Sequence, residues 1–211
     1  MLNKLIAMDA DLPTRKQEQL IIMKTAIAGG KDIISTMQAC VEAGGEVYEL
    51  MSLVIQTMNP VSFAMQGVIE AKGNISEAIR CIVEKNGDIL DAMRGVVSAK
   101  GDVCIAMKLV VEFYNKKAQE SLNGQDADRT SSKAVMSVAE AMKGIKGGNV
   151  YEAMRGVMLA NGSVYDAMLG LTTAGGAVSV ALQCVIDNDG DVKKAKSGIE
   201  HGGGIVPVGM Q

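Results

Sequence analysis

Gly87-Asp88-Ile89-Leu90-Asp91-Ala92-Met93-Arg94-Gly95-Val96-Val97-Ser98-Ala99-Lys100 is one copy of a pattern that fills most of this chain. The pattern runs without a gap through 31–44, 45–58, 59–72, 73–86, 87–100 and 101–114, then resumes from Gly148 to Gly203. The segment Gly148-Asn149-Val150-Tyr151-Glu152-Ala153-Met154-Arg155-Gly156-Val157 matches the quoted copy best. A fixed period of this kind marks a stack of near-identical small units.

Numbering each unit from its first residue makes the physics legible. Slot 2 holds Asp32, Asn74, Asp88, Asp102, Asn149 and Asp191, with Ser163 in a further copy. Such side chains accept hydrogen bonds from the free N–H groups of a helix's first turn. Slot 1 is mostly Gly, as in Gly45, Gly73, Gly87, Gly148 and Gly190. There it is expected to supply the left-handed turn that stops the preceding helix. Slots 3, 6, 7 and 10 are apolar, as in Ile89, Ala92, Met93 and Val96. That spacing is one face of an α-helix. Each unit therefore reads as one helix of about 10 residues, roughly 15 Å long, too short to hold alone in water. In the unit starting at Asn59, Asn59 is expected to cap and Pro60 to take the first helical position.

Slot 9 is small in most copies: Ala39, Gly67, Cys81, Gly95, Gly156, Gly170, Cys184 and Gly198, against Leu53 and Leu109. A mid-helix Gly costs about 1 kcal/mol relative to Ala. Gly67, Gly95, Gly156, Gly170 and Gly198 are therefore expected at close helix crossings. Met37, Met51, Met65, Met93, Met107, Met154 and Met168 share slot 7 and read as core. Slot 5 is acidic in Glu49, Glu77, Asp91, Glu152 and Asp166, and slot 8 is basic in Arg80, Arg94, Lys108 and Arg155. These are expected to pair on the exposed face.

The fold class that follows is all-α: an α-solenoid or superhelix of short single-helix repeats with a 14-residue period. A long coiled coil is the competing arrangement, because 14 is two heptads, but regular Gly and Asp/Asn breaks and Pro60 oppose it. Successive units do not alternate visibly between two types, so each helix is expected to see a similar environment. The organisation reads as an N-terminal segment (1–16), a first repeat block (17–114), a polar insertion (115–135), a second block (136–203) and a Gly-rich apolar tail (204–211). In the unit starting at Gln17, Ile22, Met23 and Ala26 hold the apolar slots. The insertion is expected to be an extended last helix followed by an exposed, mobile loop. Lys193, Lys194 and Lys196 make the last unit polar, as an exposed stack end requires. In the tail, Ile205, Val206, Val208 and Met210 are candidates for a tether that docks on a neighbour.

Composition narrows the function. The net charge is −3 and aromatics are 3%, with no Trp, so nucleic-acid binding lacks both its charge and its stacking residues. Cys40, Cys81, Cys104 and Cys184 are spread apart and read as small buried hydrophobes in a reducing compartment. Leu50–Ile69 and Ala167–Ile186 are free of charge, but they keep the 14-residue phase and contain polar and glycine residues, which favours solenoid helices over membrane spans. The chain begins without a signal-peptide pattern.

Three chemical motifs fail on inspection. His201-Gly202-Gly203-Gly204 resembles the oxyanion loop of some lipases, but the Gly-x-Ser-x-Gly elbow is missing. Ala28-Gly29-Gly30-Lys31-Asp32 lacks the spacing of a phosphate loop. Asp187-Asn188-Asp189-Gly190-Asp191 has Val192 where a calcium loop needs Gly. Gly101-Asp102-Val103-Cys104-Ile105-Ala106 resembles the start of the third helix of ubiquitin-associated domains, including that of elongation factor Ts. The other two helices of that domain and their Met-Gly-Phe/Tyr loop are absent, so the resemblance implies no function and reflects shared capping physics.

The expectation is a non-enzymatic structural or scaffold protein, without cofactor or metal, that self-associates as a subunit of an assembly such as a virion or filament. Its place is the cytoplasm or the inside of such a particle. Two alternatives stand: an adaptor that binds a peptide or partner helix, and a membrane-active, channel-forming protein.

Overall fold

The computed structural model describes residues 12–122 and 137–207. Among them the regular structure is helical, and no strand occurs. The helices are α1 (Leu12–Ala28), α2 (Ile33–Glu42), α3 (Val47–Gln56), α4 (Val61–Glu70), α5 (Ile75–Glu84), α6 (Ile89–Ser98), α7 (Val103–Leu122), α8 (137–144), α9 (Val150–Leu159), α10 (Val164–Thr173), α11 (Val178–Asp187) and α12 (Val192–His201). Breaks fall at Gly73, Gly87 and Gly101, which removes the coiled-coil arrangement. The helical-repeat solenoid read from the 14-residue period is the fold. The chain forms two compact units, Met1–Gly87 and Asp88–Gln211. The insertion lies within the second of these, and its first part continues α7 to Leu122; the loop expected after it lies outside the described residues.

Each boundary is a stop followed at once by a start, but the left-handed residue is not the one expected. Positive φ falls at slot 14: Gly44 (89°), Met58 (54°), Lys72 (55°), Asn86 (55°), Lys100 (53°), Asn161 (53°), Gly175 (68°), Asp189 (52°) and Gly203 (78°). The residue after it, slot 1, donates its N–H back to the slot-10 carbonyl, as in Gly73 to Val68 (2.8 Å) and Gly162 to Val157 (2.8 Å). Slot 14 donates to slot 11, as in Lys72 to Ile69 (2.9 Å). This is a Schellman stop with its left-handed residue at slot 14. The glycine at slot 1 answers to space instead of φ. A Cβ on Gly73 would lie 2.8 Å from Val41 Cγ1, and one on Gly148 would lie 2.6 Å from Val97 Cγ2.

The starts are side-chain caps. Asp32 accepts from the N–H groups of Ile34 and Ser35; Asn74, Asp88, Asp102, Asn149 and Asp191 accept from Glu77, Asp91, Ile105, Glu152 and Lys194. These bonds hold Asp32 and Asp191 below the usual carboxylate range, the Ser35 hydroxyl contributing most at Asp32 and the Lys194 N–H most at Asp191. The Asn59-Pro60 boundary departs from expectation. Pro60 is the cap residue and the helix begins at Val61, while the Asn59 amide donates backwards to Thr57 O (3.2 Å) and Thr57 Oγ1 (3.0 Å). Spent on the previous helix end, that side chain caps nothing.

Packing within each unit joins helices two apart most extensively: α2 with α4 and α3 with α5 in the first, α7 with α9 and α10 with α12 in the second. Adjacent helices touch less, except that α1 meets α2 more extensively than α3. The expectation of one uniform environment is therefore corrected. Two 14-residue units make one 28-residue structural step, and odd and even helices occupy different series. The core between them is the slot-7 methionine stripe, with Met37, Met51, Met65, Met93, Met107, Met154 and Met168 fully buried. Each such burial is worth about 1.5–3 kcal/mol. In α1, Met23 and Ala26 are buried, but Ile22 is 49% exposed. Its face of α1 meets no helix among the described residues, so the apolar position it holds elsewhere in the stack has nothing to pack on.

Candidate functional site

Two features of the structure bear on function: the joints that stack the helices, and one groove in the second unit.

At the joints, the slot-9 glycine of one helix lies on the slot-4 carbonyl of the helix two before it. A Cβ on Gly67 would stand 2.6 Å from Ile34 O, and one on Gly144 would stand 2.5 Å from Leu90 O. The same carbonyl is nearest at Gly156 (Cys104 O), Gly170 (Ala139 O) and Gly198 (Tyr165 O). Backbone sits on backbone at these crossings, and only a hydrogen fits between. Gly95 lies buried in α6. Gly144 went unread in the sequence because its unit is two residues short; Ala141-Met142, taken as slots 6 and 7, would have placed it.

A second contact, unread in the sequence, ties α3 to α5, α9 to α11 and α10 to α12; only the last of these joints also carries a slot-9 glycine, Gly198. Tyr48 donates to Glu84 Oε2 (2.7 Å), Tyr151 to Asp187 Oδ2 (3.1 Å), and the Tyr165 hydroxyl meets His201 Nδ1 at 3.0 Å. All three span 36 residues, one 28-residue step plus eight. The Glu84 carboxylate, with burial, pushes the Tyr48 phenol up to about 12. The Arg80 guanidinium covers the Tyr48 ring at 4.9 Å.

The three motifs set aside in the sequence are accounted for locally. Gly202, Gly203 and Gly204 are the Schellman stop of α12, and His201 stacks edge-on against Tyr165. Around Asp187-Asn188-Asp189-Gly190-Asp191, Asp187 serves Tyr151 and Gln183, Asp189 takes the left-handed turn and Asp191 caps α12. Gly29 and Gly30 end α1. No group of three His, Cys, Asp or Glu that could hold a metal ion occurs among the described residues. The four cysteines are buried thiols; burial pushes Cys81 to about 12 and Cys184 to about 11.

The groove is open, has a volume of about 970 Å³ and is walled by α7, α8, α10 and α12 and the end of α9. Val111, Val138, Met158 and Val164 form its apolar part. Its polar part includes Asp166, which corrects the reading of slot 5 as wholly exposed: Asp166 is only 5% exposed. In α8 and α9 a slot-5 acid pairs with a slot-8 base, Glu140 with Lys143 (2.5 Å) and Glu152 with Arg155 (3.0 Å), whereas the slot-8 bases Arg80 and Lys108 pair one turn on with Glu84 and Glu112. In α10 slot 8 is Leu169, and the carboxylate is buried; in α3, where slot 8 is Ser52, Glu49 stays exposed. Burial pushes Asp166 up, and the Ser163 hydroxyl opposes that. Ser163 also accepts from the Asp166 N–H (3.2 Å).

Of the tether candidates, Ile205 is 86% exposed and Val206 half-buried in a stretch without regular structure after Gly203; Val208 and Met210 lie outside the described residues. No helix among the described residues is long and apolar enough to cross a membrane. Fold and joints together define a helical-repeat protein whose conspicuous residues serve stacking. No family model matches the chain, and no curated protein matches it in sequence.

Proposed function

We propose that this chain is a non-enzymatic scaffold that works by binding protein, in the first place further copies of itself. The observation that carries this reading is apolar surface the stack does not use. On α1, Ile21 is 64% and Ile22 is 49% exposed. Phe63, Ile105 and Val180 stand in solvent at slot 5, where other copies carry an acid. Large exposed apolar side chains on a repeat surface are what a protein partner covers. A virion or filament subunit is one form such an assembly takes.

Light scattering behind size-exclusion chromatography tests this. The expected result is a mass above one 22.1 kDa chain, rising with concentration. It should fall towards a single chain in the double variant Ile21→Glu, Ile22→Glu while the helical circular dichroism is kept. A single-chain mass at every concentration would end the self-association reading. The groove around Asp166 favours a second reading, an adaptor that receives a segment of another polypeptide.

A further inference from the structure

We propose that the groove walled by α7, α8, α10 and α12 is a docking site for an arginine or lysine side chain of a partner polypeptide, received by the Asp166 carboxylate. The proposal deepens the adaptor reading and rests on it.

The repeat supplies its own control. The same slot carries an acid in several copies, and in α8 and α9 that acid is paired with a base one turn on. α3 also keeps the acid without a base, Glu49 with Ser52, but Glu49 is exposed; in α10 the base position is Leu169 and the carboxylate is buried. Repeats constrain each position by stacking, so a copy that breaks a local rule at a groove points to a use for the break. A buried carboxylate is costly unless paired. Among the described residues its carboxylate is bonded by the Ser163 hydroxyl and takes part in no ion pair. Carboxylate oxygens can accept more bonds than one hydroxyl supplies.

The wall chemistry says which donor fits. Met158 and Val164, half-buried above the buried Val111 and Val138, offer an apolar bed for a methylene stem, and Asp166 offers an anion for its charged end. An anion would meet that carboxylate unfavourably, and a purely apolar side chain would leave it unpaired. Lys193 and Lys194 also line the groove, but both are exposed, and Lys194 is engaged by Asp191 at 3.5 Å. Charges in water repel an incoming cation weakly.

The test uses the full chain and two capped pentapeptides, acetyl-Gly-Leu-Arg-Leu-Gly-amide and the same peptide with norleucine for Arg. Amide chemical shifts of Ser163 to Ala167 are followed during titration, with light scattering on the same samples. The expected result is saturable shifts with the Arg peptide, and binding about tenfold or more weaker both for the norleucine peptide and for Asp166→Asn. Equal binding of the two peptides, or none of either, overturns the proposal on the wild-type chain, whatever the variant does. A folded Asp166→Asn variant that binds the Arg peptide as the wild type does overturns it too. Self-association read on the same samples separates the fates of the two ideas. An oligomer that ignores the Arg peptide leaves the scaffold standing and removes this site.

Discussion

Glycine does two different jobs in this chain, and the difference sets what a methyl group costs. At slot 9 a Cβ would press on backbone: Gly67 faces Ile34 O at 2.6 Å, a carbonyl that cannot swing aside. Gly67→Ala is therefore expected to destabilise by about 1–3 kcal/mol through overpacking, read as a lower midpoint in urea. Gly95→Leu and Gly156→Leu should cost at least as much. At slot 1 the obstacle is often the end of a side chain, as with Ile55 Cδ1 at 3.0 Å from a Cβ on Gly87, so Gly87→Ala should cost less. Equal losses at Gly67 and Gly87 would show that the crossing is not where the tight contact lies. Asp166 makes a second prediction at this scale. Its folded pKa is raised above the unfolded value of about 4, so the folded chain keeps a proton that the unfolded chain has lost. The stability from this group is full below about pH 4 and declines as the pH rises through the folded pKa. Asp191, Lys193 and Lys194 are the other charged groups facing that groove. Urea titrations of wild type and Asp166→Asn should show the variant gaining relative stability as the pH rises across that window. Asp32 and Asp191, whose pKa values are lowered, have the opposite sign: their contribution is present above about pH 4 and is lost on acidification through the folded pKa. Parallel wild-type and variant profiles would mean that Asp166 does not titrate upward.

At the scale of the helix, the stop signal is shared between two residues. Slot 14 bears the left-handed conformation, yet Met58, Lys72, Asn86, Lys100, Asn161 and Asp189 occupy it beside Gly30, Gly44, Gly175 and Gly203. A side chain there costs roughly 1–2 kcal/mol, part of which glycine returns as unfolded-state entropy. Lys72→Gly and Lys100→Gly are each expected to stabilise by about 0.5–1 kcal/mol. Gly44→Ala should destabilise by a similar amount. Thermal melts of the three single variants check this, and a loss at Lys72→Gly would mean that its side chain contributes a contact outweighing the strain. The positions were mostly legible as a Gly, Asn or Lys shortly before a cap, with Met58 and Asp189 as exceptions. Which of two neighbouring residues carries the turn was not, because slot 1 is the more uniform glycine and draws the eye. Its uniformity comes from crowding by slot 11 of a helix two units earlier, a contact no local pattern displays.

Over the whole molecule, the ends and exposed apolar residues matter most. Gly204 still belongs to the fold: it donates to Ile199 O (2.9 Å), and a Cβ on it would meet Thr172 Cγ2 at 2.5 Å. A chain ending at Gly204 is therefore expected to melt as the full chain does but to associate more weakly, since it lacks Ile205 and Val206. Unchanged association on light scattering would remove the tether. A chain ending at Ile199 should lose stability as well, because the stop of α12 goes with it.

The sequence alone determined the helices, their length and most of their caps, because those depend on interactions within a few residues: apolar spacing, a cap side chain, a glycine at most breaks. It also marked the methionine stripe as core, since one helix face must be buried. Tertiary structure decided the rest. The choice of partner two helices away turns one 14-residue sequence unit into a 28-residue structural step. A trace of that step is visible in hindsight. Slot 9 is Ala39 in α2 and Gly in α4, α6, α8, α10 and α12, while α3, α5, α7 and α11 carry Leu53, Cys81, Leu109 and Cys184; α9, with Gly156, breaks the alternation. The Tyr48–Glu84 and Tyr151–Asp187 locks and the burial of Asp166 are likewise products of that stacking. Side chains 36 residues apart, or a carboxylate and the walls around it, acquire their chemistry only when packing brings them together and takes the water away.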